Sequence, residues 1–185
     1  VASARALYNC AAFIFEGKIV ALVPKTYIPN SGEYYERRWF SPKKNDEPEV
    51  LYFSKAFPAV PFGNDIVISD ANDERCAIAS EIGEDLYAPV PPSSYHALSG
   101  AAIIANLSAS SETVGKAEYR RLLVKSQSAR TLSAYICAEA GQGESTQDAV
   151  FASHKIIAEN GTIIAESKLF DDAICFADID IERLA

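Results

Sequence analysis

Methionine is missing from all 185 residues, position 1 included, which reads as a chain that starts inside a longer gene product or was processed. Histidine is scarce: His96 and His154 are the two, and neither sits in a cluster with metal-ligand spacing, so both read as structural and no metal is expected. The four cysteines, Cys10, Cys76, Cys137 and Cys175, are far apart and form no CxxC pair. Each lies among apolar neighbours, as in "AYICAEA". They read as buried reduced thiols rather than disulfides or metal ligands, and the compartment as cytosolic. There is no HExxH, no Walker glycine loop and no dinucleotide-binding glycine motif. No apolar run approaches the roughly 20 residues of a membrane-spanning helix, and no signal peptide is visible at Val1. Positive charge is the minority: 17 Lys and Arg against 25 Asp and Glu give a net −8. That balance argues against a nucleic-acid or anionic-membrane surface.

What is present is the profile of a folded globular domain, 49% apolar and 23% charged. The length suits one domain over residues 1–185. "LYNCAAFIF" (7–15) and "KIVALV" (18–23) predict a hairpin across a tight "EG" turn. Residues 41–63 carry four prolines and predict a loop with a short strand at "EVLYFS". "NDIVIS" and "RCAIASEI" follow as strands, then "SSYHALSG" as a short helix. "AAIIANLS" (101–108) is a continuous apolar run, as expected of a strand buried on both faces with its end in a site. "KAEYRRLLVKSQSARTLS" predicts a helix with Leu122, Leu123, Ser126 and Ala129 on the inner face and basic residues on the other. "AYICAEAG" is a strand, and Asn160-Gly161 marks a hairpin in "HKIIAENGTIIAES". "DAICFADIDIERL" is expected to close the fold as a strand. Buried strands, hairpins and layering helices imply an α/β sandwich.

Three stretches could carry chemistry. In "CAIASEIGEDLYAPVPPSSY" (76–95) a buried strand ends at a sharp acidic turn, a common mount for a nucleophile, yet Gly83 has no side chain. Lys25 follows a strand on a Pro-flanked turn. It reads either as a surface charge or as a fixed cation that steadies a developing oxyanion. The Ser-rich loop "NLSASSETVGKAEYRR" reads either as a helix N-cap or as hydroxyls and amides that hold a polar substrate.

Taken in order, these stretches, with "YIPNSGEYYERRWF", "GQGESTQD" and "ENGTIIAES", resemble the glutaminase domain of glutamine-dependent NAD synthetases. That domain belongs to the carbon–nitrogen hydrolase (nitrilase-like) superfamily. The resemblance implies a four-layer αββα sandwich whose N-terminal part is missing from this chain. It implies a Glu–Lys–Cys site in which the cysteine attacks the glutamine side-chain amide, the glutamate acts as base and the lysine steadies the tetrahedral intermediate. By the same resemblance Lys25 is the lysine and Glu36 the acid that orients it. Gly83, within Glu81-Ile82-Gly83-Glu84-Asp85, stands at the nucleophile position. The Glu84 backbone N–H would face the oxyanion. Tyr34, Glu84, Ser110 and Lys116 would line the glutamine pocket. The family often has arginine where Lys116 stands. The general base is expected upstream of Val1, because Glu16 belongs to a hairpin tip.

The resemblance further implies ammonia delivery to a separate ligase domain, absent here, which alone would need ATP and Mg, and homo-oligomers formed through helical faces. Tyr119, Arg120 and Arg121 are candidate oligomer contacts. This domain is expected to need no cofactor and to act in the cytoplasm. With Gly83 in place of cysteine, no glutamine turnover is expected. The alternatives are a pseudoenzyme acting as a scaffold and a nitrilase-type amidase for another small amide.

Overall fold

The computed structural model describes residues 1–3, 6–43, 49–53 and 59–184. The strands are β1 (Ala2–Ser3), β2 (Ala6–Leu7), β3 (Cys10–Phe15), β4 (Lys18–Pro24), β5 (Glu49–Leu51), β6 (Val60–Phe62), β7 (Val67–Ser69) and β8 (Ala77–Ile82). They are followed by α1 (Pro92–Leu98), β9 (Ile103–Ser108), α2 (Lys116–Thr131), β10 (Ala134–Glu139), β11 (Lys155–Glu159), β12 (Thr162–Glu166) and α3 (Ile181–Leu184). Both foreseen hairpins form. Their turns use Glu16 (φ 48) with Gly17 (φ 74) and Asn160 (φ 43) with Gly161 (φ 82), the paired positive φ of a two-residue turn.

Six strands make one sheet in the order β12-β11-β10-β9-β8-β7, and four make another in the order β3-β4-β6-β5. At the centre of the larger sheet β8, β9 and β10 run parallel, so Ile82, Ser108 and Glu139 end side by side. Parallel strands need a crossover between them, and α1 and α2 are those crossovers. Both helices pack on the larger sheet, α1 against β8 and α2 against β10 and β11. The smaller sheet packs on the other face, where Ala11 and Val23 meet Ile82. Among the described residues this gives helices, sheet and sheet, which are three of the four layers of an αββα sandwich. The main core, with Ile104, Val124, Tyr135 and Ile156 fully buried, lies between the larger sheet and its helices. Burying side chains of that size stabilises by about 1.5–3 kcal/mol each.

Several expectations are corrected. Residues 172–184 form no strand: they have no ladder partners and end in α3. The alternation of Ile174 and Phe176 looked strand-like, but both are more than four-fifths exposed and no neighbouring edge receives them. β6 inside the proline-rich stretch was not foreseen; it pairs with β4 through Leu22 and Phe62. Residue 54 of the strand expected at 49–54 lies outside the described residues. In α2 the inner face is Arg120, Val124, Gln127 and Ser128, whereas Leu122 is 62% exposed and Ser126 and Ala129 are also exposed. The helix hides polar groups because they have buried partners, and that defeats a reading based on apolar spacing. Only Cys137 is a fully buried thiol, while Cys10, Cys76 and Cys175 are half-buried; all four are free.

Candidate active site

The parallel strands put their carboxyl ends at one rim of the larger sheet, where α/β folds commonly place a site. There β8 runs into a 3-10 turn at Gly83, whose φ of +47 falls in the left-handed region. Three buried bonds hold that turn. The Gly83 N–H donates to Asn106 Oδ1 (3.0 Å), Asn106 Nδ2 donates to Tyr135 Oη (3.0 Å), and Tyr135 Oη donates to Glu81 Oε1. Glu81 also accepts the Ser93 N–H at the start of α1 (2.8 Å). Asp85 ties the same turn to the end of β4, accepting from Ile82 N (2.9 Å), Tyr27 N (2.7 Å) and Thr26 N (3.1 Å). Burial pushes its carboxyl up to about 7, against the pull of those backbone bonds.

Lys25 leaves β4 beside this turn. Its side chain is 5% exposed, and Nζ donates to Glu36 Oε1 at 2.6 Å. Of the two carboxylates expected around it, the described residues supply Glu36. A Cβ built on Gly83 would lie 3.8 Å from Lys25 Nζ and 3.7 Å from Ser108 Oγ, ordinary contact distances. The lysine therefore points at the position where a nucleophile would stand.

Lys25, Tyr34, Glu36, Gly83, Glu84, Ser110 and Lys116, each singled out from the sequence, all line one cavity of about 400 Å³. Tyr34 Oη accepts the Ser111 N–H (2.7 Å) and so fastens its loop to the Ser-rich loop. Lys116 Nζ sits 4.3 Å from the centre of the Tyr87 ring, a cation–π distance. Ser110 is no helix cap, because the N-cap of α2 is Gly115 and the helix start has no side-chain cap. Its N–H and Oγ both donate to Glu139, at 2.9 and 2.8 Å.

The chain has relatives among proteins of known function. Over 180 residues it is 41% identical to the glutamine-dependent NAD(+) synthetase of Mycobacterium tuberculosis, a match covering 96% of the chain and 26% of that protein. A glutamine-dependent NAD(+) synthetase structure from Cytophaga hutchinsonii superposes with a TM-score of 0.79 at 25% identity, over 95% of the chain. The chain is a relative of the glutamine-dependent NAD(+) synthetases. It spans about a quarter of the length of these relatives, 26% and 27%. A Saccharomyces cerevisiae member of branch 10 of the nitrilase superfamily matches 97% of the chain with a TM-score of 0.71 at 18% identity. The fold is thus that of nitrilase-superfamily carbon–nitrogen hydrolases. No family model matches the chain.

The sequence reading missed Glu139, Ser108, Tyr87 and Cys10, which line this cavity, and Arg120 beneath it. Arg120 is 1% exposed beneath the cavity. Its Nε lies 2.8 Å from Glu139 Oε1 as an ion pair, and its Nη2 donates to Glu112 (3.0 Å) and to Ser110 Oγ (3.2 Å). Its Nη1 donates to His154 Nδ1 (2.8 Å), and His154 Nε2 donates to Glu166 (2.7 Å). Arg120 is therefore no oligomer contact, and Arg121 is engaged with Glu166 at 2.6 Å. The signal for Glu139 was available: an acid that ends an apolar strand in register with Ser108. Cys10 lines the cavity as well, and burial pushes its thiol up to about 11. Among the described residues no three His, Cys, Asp or Glu side chains gather as metal ligands, and no helix is long and apolar enough to cross a membrane.

Proposed function

We propose that this chain is a glutaminase-type domain that binds glutamine in the cavity at the strand ends and, with glycine at position 83, does not hydrolyse it. One observation carries the reading: the residues taken over from the synthetase resemblance converge on a single cavity, with the Lys25–Glu36 pair aimed at Gly83. Lys116 supplies a cation for the α-carboxylate, while Glu84 and Tyr34 suit the α-amino group. In a chain with cysteine at 83, its sulfur would attack the side-chain carbon. Lys25 and the Glu84 N–H would receive the negative charge that develops on the oxygen, and ammonia would leave. A base would take the thiol proton and pass it to the leaving nitrogen, and water would then cleave the thioester to release glutamate. Ammonia would pass to a ligase domain, and ATP and Mg chemistry belongs there.

Gly83 itself favours a second reading, a pseudoenzyme that acts as a scaffold and has lost the glutamine site. Assembly through the outward residues of α2, Tyr119 and Leu122, is part of both readings. Light scattering at micromolar concentration measures it, and a monomer counts against it. Calorimetry of glutamine with the Gly83 chain, and ammonia release by Gly83→Cys, separate the two functions. Binding in the first and turnover in the second support the glutaminase reading. Absence of both leaves the pseudoenzyme.

A further inference from the structure

Ser108 ends β9 at the reacting side of the cavity and is 9% exposed. Its Oγ is buried and meets no hydrogen-bond partner among the described residues. Its neighbour Ser110 is the contrast, since that hydroxyl donates to Glu139 and accepts from Arg120. A buried hydroxyl left unpaired is destabilising. One that borders a cavity is relieved when a ligand supplies the partner.

The surroundings state what kind of partner fits. Lys25 Nζ and Ser108 Oγ flank the same point, 3.8 and 3.7 Å from a Cβ at Gly83. Beyond Lys25, the second oxygen of Glu36 is also buried without a partner. An ammonium only donates, a carboxylate oxygen only accepts, and a hydroxyl does either. A carboxamide matches this set, because its oxygen accepts and its nitrogen donates. A carboxylate matches poorly: it has nothing to donate, and it brings a second negative charge towards Glu36.

We propose that Ser108 Oγ accepts an N–H from the substrate's side-chain carboxamide while Lys25 donates to the carboxamide oxygen. Ser108 is then the residue that makes this end of the pocket select an amide. The proposal deepens the glutamine reading and rests on it.

The test is calorimetric titration of the 185-residue chain and of Ser108→Ala with two ligands. One is glutamine; the other is norvaline, which keeps the α-amino-acid head and lacks the carboxamide. Ser108→Ala is expected to weaken glutamine about tenfold and to leave norvaline within about twofold. The ligand-free melting temperature should not fall, because the hydroxyl has no protein partner to lose. An equal loss on both ligands, no loss on glutamine, or a marked fall in the ligand-free melting temperature would each overturn the assignment while leaving the glutamine site standing. Failure of the unaltered chain to bind either ligand would remove the glutamine reading itself, and this proposal with it.

Discussion

The two ends of the cavity are built on opposite plans. At the Glu139 end each buried charge has a partner, Glu139 in Ser110 and Arg120, Arg120 in Glu112 and His154, His154 in Glu166, although Arg120 Nε and Tyr87 Oη make no hydrogen bond. At the Gly83 end groups are left open: Ser108 Oγ, one oxygen of Glu36, and the space where a side chain at 83 would project. The satisfied end is a fixed frame, and the open end is where a ligand completes the bonding. The two ends should therefore respond differently to substitution.

The largest effect is expected at the frame. Arg120→Ala leaves Glu139 and Glu112 as buried carboxylates without their cation. Removing one partner of such a network costs about 3–5 kcal/mol, most of it from the charge left behind. Urea unfolding reads this as a lower midpoint. A loss no larger than that of an exposed ion pair, about 0–1 kcal/mol, would show that the two ends do not differ in this way.

A smaller stability effect is expected at the open end. Gly83→Cys meets only ordinary contacts, but it places a side chain at φ +47. The left-handed region costs a non-glycine residue about 1–2 kcal/mol. Unfolding free energy should fall by that amount, read as a lower urea midpoint with an unchanged denaturant slope. A more stable variant would mean the turn relaxes, and the three-bond relay from Asn106 to Glu81 would not be fixing it.

How much of this was legible in the sequence follows the same division. Part of the open end was readable because backbone signals mark it, Lys25 after a proline-ended strand and a glycine turn after a buried strand, while Ser108 and Cys10 at the same end carried no such signal. The hairpins at Gly17 and Gly161 were readable for the same reason, since short turns are set by local residues. The frame was not readable. Arg120 and Gln127 are polar residues on the inner face of α2, and their burial depends on partners 8 to 34 residues away in sequence, Ser93 for Gln127 and Ser110, Glu112, Glu139 and His154 for Arg120. No window of apolar periodicity can see such partners. Residues 172–184 failed the other way: their alternation suits a strand, but a strand also needs an edge to join.

A milder probe of the frame is pH. His154 accepts from Arg120 at Nδ1, so its proton sits on Nε2 and goes to Glu166. Burial holds its pKa below the usual 6.5, and the nearby Arg120 and Arg121 push the same way, while Glu166 opposes them. Below 6.5 the unfolded chain takes up a proton that the folded chain resists. The stability from neutral His154 is therefore complete above about 6.5 and is lost as pH falls below it, with a slope of at most about 1.4 kcal/mol per unit. His154→Gln should flatten this part of the profile, measured by thermal melts between about pH 7.5 and about pH 5, which spans the histidine range. An unchanged slope would assign the acid sensitivity to other groups.

The smallest effect concerns Cys10, the native thiol that borders the open end. A reactive cysteine needs its thiolate, and a thiol at about 11 is ionised in only about one molecule in a thousand at pH 8. Its Sγ is also turned to the Tyr8 carbonyl, at 3.6 Å, and not to Lys25. Cys10 should therefore not replace the sulfur missing at 83. In a Gly83→Cys background, Cys10→Ala should leave ammonia release unchanged within about twofold, an energy difference below half a kcal/mol. In the unaltered chain, mass spectrometry after brief iodoacetamide treatment at pH 8 should find Cys10 largely unmodified. Rapid alkylation, or glutamine turnover by the unaltered chain that disappears with Cys10→Ala, would place a working nucleophile on β3 and end the contrast between a complete frame and an incomplete reacting end.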